Sequence, residues 1–190
     1  MAGKAIVLTG TPGVGKTTIA KAISKTGIRL IELNTLAVET GAVREIDKER
    51  NSKVIKPQAL KKAIAKILSD GDGTFLIEGH FGELVPSRFV EKAIVLRTYP
   101  FELKERLKKK GYSDEKIREN VEAELLDSCL IAAVKAFGEN KVQEIDTSGL
   151  SPEEAVKEVE KAINGKGMPP GCINWISRLE SEGKLRDLIP

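Results

Sequence analysis

The sequence predicts an α/β fold, a parallel sheet covered by helices on both faces, and three observations carry that expectation. Five short apolar runs rich in β-branched residues recur along the chain: Ala5 to Leu8, Arg29 to Leu33, Thr74 to Glu78, Ala93 to Arg97 and Lys141 to Asp146. Helical periodicities lie between them, and near-continuous apolar strands that alternate with helices belong to a sheet buried on both sides. The third observation is the stretch after the first run, Gly10-Thr11-Pro12-Gly13-Val14-Gly15-Lys16-Thr17, which matches G-x-x-x-x-G-K-[ST] at every fixed position.

The elements follow in order. Thr17 to Ser24 forms the helix after the glycine loop and buries Ile19, Ala22 and Ile23. Pro57 to Leu68 places Leu60, Ile64, Ile67 and Leu68 at helical spacing and stops at Ser69-Asp70-Gly71. From Ser113, the residues Ile117, Val121, Leu125, Cys129 and Ala132 trace one face of a long helix that ends near Gly138, with Asp114 and Glu115 at the positive end of its dipole. Ser151-Pro152-Glu153-Glu154 is a capping box with proline at the first helical position, so a helix carrying Ala155, Val156, Val159 and Ile163 begins there. Residues 1–164 thus make one domain. Residues 165–171 read as a flexible linker, and a short amphipathic tail with Ile173, Trp175, Ile176 and Leu179 follows, docking on the domain in the plainer reading.

Composition bounds the function. A chain of 190 residues, 41% hydrophobic and 31% charged, has the makeup of a globular domain. Its formal charge of +3 is too small to imply nucleic-acid binding, and no sequence-specific nucleic-acid site is expected. Cys129 and Cys172 are too few for a disulfide scaffold and lack zinc-type spacing, which points to a reducing compartment. No eighteen apolar residues run together, and the glycine loop starts too early for a signal peptide to precede it. A cytoplasmic protein without a membrane partner is expected.

The glycine loop defines the chemistry. A loop wrapped around phosphates needs inward backbone N–H groups, and Gly10, Gly13 and Gly15 allow the approach that a Cβ would block. Lys16 is placed to reach the β and γ phosphates of ATP, Thr17 to ligate Mg²⁺ through its hydroxyl, and Thr18 to bond the α-phosphate. Glu78, the acid at the end of its strand, suits a metal contact through water. His80, the single histidine, follows two residues later and could orient or deprotonate a water. A GTPase is disfavoured: Asn140-Lys141-Val142-Gln143 lacks the base-reading aspartate, and Asp146-Thr147-Ser148-Gly149 ends the last strand, where no γ-phosphate sensor belongs. From Arg97 to Arg118, eight basic residues against four acidic ones leave +4. Such a cluster is either a solvated face or a lid that folds cations, Arg106 and Lys110 among them, over a triphosphate, with Lys110-Gly111-Tyr112 as its hinge.

These motifs in this order carry a resemblance. The glycine loop through Thr18, Glu78-Gly79-His80, Pro86-x-Arg88, Val95-Leu96-Arg97, Arg106-Leu107, Gly111-Tyr112, Lys116-Ile117 and Glu119-Asn120-Val121-Glu122-Ala123-Glu124 resemble the adenylate kinase isoenzyme 6 family of archaea and eukaryotes, from Ile6 to about Ile163. The resemblance implies a P-loop, nucleoside monophosphate kinase-like fold with five parallel strands, a monophosphate-binding segment at about 33–56 and a short lid at about 108–118. It further implies phosphorylation of AMP-type monophosphates from ATP with Mg²⁺, ATP hydrolysis, and a role in late maturation of the small ribosomal subunit through transient binding of ribosomal protein S11. Three positions depart from the family pattern. Glu78 stands for an aspartate, Lys110 for an arginine, and Val38 for the arginine expected after Leu36-Ala37. The acceptor phosphate would then fall to Arg44, Arg88 or Arg97. Two alternatives remain open on the residues: an ATPase assembly factor with little monophosphate kinase activity, and a kinase of another small hydroxylated substrate.

Overall fold

The structure, a computed structural model, describes residues 2–47 and 52–188, with side chains for all of these except 44–47 and 52–54. The chain opens with β1 (Lys4–Gly10), α1 (Lys16–Ser24), β2 (Arg29–Glu32) and α2 (Leu33–Glu39). A hairpin, β3 (Val43–Asp47) and β4 (Ser52–Ile55), leads to α3 (Pro57–Asp70) and β5 (Thr74–Glu78). Then come β6 (Val90–Arg97), α4 (Pro100–Lys109), α5 (Asp114–Leu125), α6 (Ser128–Phe137), β7 (Val142–Asp146), α7 (Pro152–Ile163) and α8 (Trp175–Ser181).

Five strands form one parallel sheet in the order β2-β5-β1-β6-β7, and they are the five apolar runs of the sequence. Alternation along β1 explains why both faces are covered. Ile6 and Leu8 pack into a layer built by α1, α4, α5, α7 and α8, while Ala5 and Val7 pack into one built by α2, α3 and α6. The chain winds from β1 to one edge and later crosses β1 to build the other. That reversal opens a crevice above the carboxyl ends of the central strands, where open α/β sheets bind ligands. No described helix is long and apolar enough to cross a membrane.

Three expectations change: the long helix, the linker and the segment at 33–56. The long helix from Ser113 is two helices, broken at Leu126–Asp127, where Asp127 takes φ 54°. The break has a donor behind it: Arg97 Nη2 bonds the Glu124 carbonyl at 3.0 Å, an acceptor that a continuous helix would keep for itself. The segment read as a linker is pinned to the sheet edge, where Glu144 N donates to Met168 O at 2.9 Å and Gly167 N to Gln143 Oε1 at 2.8 Å. The tail docks, with Trp175 and Leu179 buried in the α1–α7 layer. Finally, the segment at 33–56 contains a short helix and a hairpin, neither of which was predicted.

Candidate active site

The glycine loop leaves β1 at Gly10, whose φ of 136° disfavours any other residue. A Cβ there would also lie 2.4 Å from the Leu96 carbonyl of β6. Gly15 then caps α1, so the first amides of that helix face the crevice. Lys16, nearly buried, donates from Nζ to the carbonyls of Gly10 at 2.7 Å and Thr11 at 3.0 Å. Burial lowers its pKa from the usual 10.5 to about 8.

β5 pairs with β1 so that Glu78 stands opposite Leu8, at the level of the loop. Thr17 Oγ1 donates to Glu78 Oε1 at 3.2 Å. Burial raises the Glu78 carboxyl above its ordinary pKa, while Lys16 and the Thr17 hydrogen bond pull it back. A hydroxyl and a carboxylate side by side are hard oxygen donors that suit Mg²⁺, which takes few protein ligands and keeps waters and phosphate oxygens for the rest. Gly79 lets the chain turn past α2, since a Cβ at that position would meet Leu33 Cβ at 2.8 Å. His80 then reaches the crevice, its ring 3.7 Å from that of Phe81 between centroids. Burial, reinforced by Lys16 and Lys116, lowers its pKa from 6.5 to about 4, so the imidazole is neutral at neutral pH.

These groups open onto one cavity of about 400 Å³. Lys16, Thr17, Glu78 and His80 form its floor, Asn34 and Ala37 of α2 with Val43 and Ile55 of the hairpin form one wall, and Lys110, Tyr112 and Lys116 form the other. A second cavity, also about 400 Å³, lies across the loop and is lined by Gly15, Thr18, Arg106, Lys109, Thr147 and Leu150. Arg106 is fixed there by Glu102 at 2.5 Å and by the Thr147 carbonyl at 3.0 Å. The basic segment is thus divided: Lys110 faces the first cavity and Arg106 the second.

The acceptor arginines are not brought together. Arg97 is 1% exposed and is held by Glu124 at 2.7 Å, Glu144 at 2.6 Å and Asp127, so its guanidinium serves the core rather than the cavity. Arg88 is exposed and lies over the Phe89 ring, away from the cavity lining. The side chain of Arg44 lies outside the described residues. Val38 is 50% exposed and does not line the cavity, which its neighbour Ala37 does. Sequence reasoning missed Thr11 and Glu124, whose side chains meet beneath the loop at 2.5 Å. The signal was available: Glu124 sits three residues after Val121, on the apolar face of its helix, where a carboxylate must find donors.

Residues 6–127 match the family model AAA_18, AAA domain. A protein of Pyrococcus abyssi (strain GE5 / Orsay), described as "Putative adenylate kinase", is 41% identical over 172 residues, covering 90% of this chain and 90% of its own. A protein of Methanocaldococcus jannaschii with the same description is 37% identical, covering 91% and 93%. Among solved structures, a shikimate kinase from Bacteroides thetaiotaomicron superposes with a TM-score of 0.56 at 18% identity, covering 85% of this chain and 98% of its own. A gluconokinase from Sinorhizobium meliloti 1021 gives 0.54 at 16%, covering 86% and 93%. At those identities the structural likeness speaks to the fold, that of a P-loop kinase. The glycine loop, the strand-end acid and the extent of these matches lead to one conclusion: the chain belongs to the AAA-domain family AAA_18, alongside the archaeal proteins it resembles along nine-tenths of its length.

Proposed function

We propose that the chain is a nucleotide kinase that moves the γ-phosphate of ATP to a nucleoside monophosphate in the presence of Mg²⁺. One observation carries this reading. Lys16 and the Thr17–Glu78 pair face a cleft whose walls come from α2, the hairpin and the lid segment. A phosphate loop that opens onto a cleft with room beside it for an acceptor is what transfer between two bound substrates requires. The descriptions of the archaeal relatives support an AMP-type acceptor.

Phosphoryl transfer asks for position and charge rather than for a covalent nucleophile. Lys16 exchanges its two carbonyl partners for the β and γ phosphates. Mg²⁺, held by the Thr17 hydroxyl and through water by Glu78, would neutralise charge on those phosphates. Lys110 and Lys116 add cations from the lid side, and Arg106 and Thr18 accompany the remainder of the donor nucleotide in the second cavity. His80, being neutral, accepts a hydrogen bond from the attacking group without adding charge. The neutral imidazole also favours a second reading, ATP hydrolysis, because water can take the place of the acceptor at the same atom. A role in small-subunit maturation with ribosomal protein S11 rests on the family resemblance.

The test is ADP formation from ATP and Mg²⁺, alone and with each of AMP, CMP, GMP, UMP and their deoxy forms. Stimulation by a monophosphate is expected of the kinase; a rate indifferent to all of them supports hydrolysis instead. Lys16→Ala should abolish turnover in either case, and wild-type turnover in that variant would overturn the site.

A further inference from the structure

Glu124 lies in the last turn of α5 and is 2% exposed. A carboxylate so placed survives only with donors around it, and it draws them from three distant parts of the chain. Thr11 Oγ1 donates to Oε2 at 2.5 Å from the phosphate loop. Arg97 Nε donates to Oε1 at 2.7 Å from the end of β6, with the Thr98 amide at 3.3 Å. Trp175 Nε1 donates to Oε1 at 2.9 Å from the first residue of α8.

The bond to Thr11 matters because of what Thr11 does next. Thr11 belongs to the loop itself, and its carbonyl accepts from Lys16 Nζ at 3.0 Å until nucleotide takes that lysine, so a continuous relay runs from Trp175 through Glu124 into the phosphate loop. The C-terminal segment is tied to the same guanidinium by a second route. The amides of Gly171 and Cys172 donate to Glu144 Oε2 at 2.6 and 3.1 Å, and Glu144 Oε1 accepts from Arg97 Nη1 at 2.6 Å. Every polar partner of this network is inside the domain except those the C-terminal segment brings.

We infer that Glu124 is a positioning residue for the phosphate loop, and that the C-terminal segment, through Trp175, sets the geometry with which the loop grips nucleotide. Residues 165–188 are therefore a working part of the nucleotide site. The inference rests on the reading of the loop as the ATP site. A linkage of this kind has a signature that plain stabilisation lacks: two substitutions that cut the same relay do not add.

The experiment measures ATP affinity by titration calorimetry in the full chain, for wild type, Thr11→Val, Trp175→Phe and the double variant, with an unfolding midpoint for each. Each single variant should weaken ATP binding by roughly fivefold to tenfold, the scale of one lost intramolecular hydrogen bond, and the double variant should be no weaker than the worse single. Effects that multiply, or a lowered midpoint with unchanged ATP affinity, overturn the proposal. If Trp175→Phe fails to fold, hydrogen exchange at the amides of Gly13, Val14 and Gly15 in Thr11→Val decides: faster exchange supports the relay, and wild-type exchange overturns it. Wild-type protein that binds no ATP brings down the site reading and the proposal together. Wild-type protein that binds ATP, beside variants that bind it equally well, brings down the proposal alone.

Discussion

Lys16 is held among carbonyls rather than carboxylates, and burial has brought its ammonium close to losing its proton. Phosphates beside it favour the charged form, so its pKa in the nucleotide complex must lie above the value of about 8 in the empty protein. The sign follows. Below pH 8 both states carry the proton and this lysine gives ATP affinity no pH dependence; above pH 8 the empty protein has released the proton and binding must take it up again. ATP affinity should fall as pH rises past 8, approaching about tenfold per pH unit, and calorimetry in buffers of different ionisation enthalpy should show proton uptake at pH 9 and little at pH 7. Lys16 was legible in the sequence because phosphate chemistry dictates residue types at fixed local spacing. The arginines were not. Arg97 meets carboxylates 27, 30 and 47 residues away, and nothing near it in the chain announces them.

At the level of elements, local chemistry predicted helix ends that the nearby sequence caps and missed a boundary that a distant residue imposes. The capping box at Ser151 forms as expected, Ser151 accepting from the Glu154 amide and Glu154 from the Ser151 amide. The end of α5 was invisible because it is imposed from outside by Arg97, which takes the Glu124 carbonyl and the Asp127 carboxylate. The hairpin was hidden for a different reason: Val43-Arg44-Glu45-Ile46-Asp47 and Ser52-Lys53-Val54-Ile55 hold too many charges to read as buried strands. Arg97 thus shapes an element boundary and neutralises two fully buried acids at once. Arg97→Leu should destabilise the chain by about 3–5 kcal/mol in denaturant unfolding, the cost of leaving buried carboxylates without their cation. An arginine serving the acceptor phosphate would instead raise the KM for monophosphate at unchanged stability.

The molecule as a whole is a sheet between two apolar layers, and that much was written in the alternation of its strands. Which pieces meet at the crevice was less legible, since the cavity is assembled from α2, the hairpin, β5 and the turn from α4 into α5, each brought there by the winding of the chain around β1. The position of the C-terminal segment was settled by packing: Ile173, Trp175, Leu179 and Leu188 enter the same layer as α1 and α7. Trp175 is the only tryptophan in the chain, and it is 2% exposed. The protein therefore carries its own optical label. Excited at the red edge of indole absorption, where Tyr99 and Tyr112 are silent, its emission should lie at the short-wavelength end of the indole range, and nucleotide binding should be readable in that light without attaching a dye.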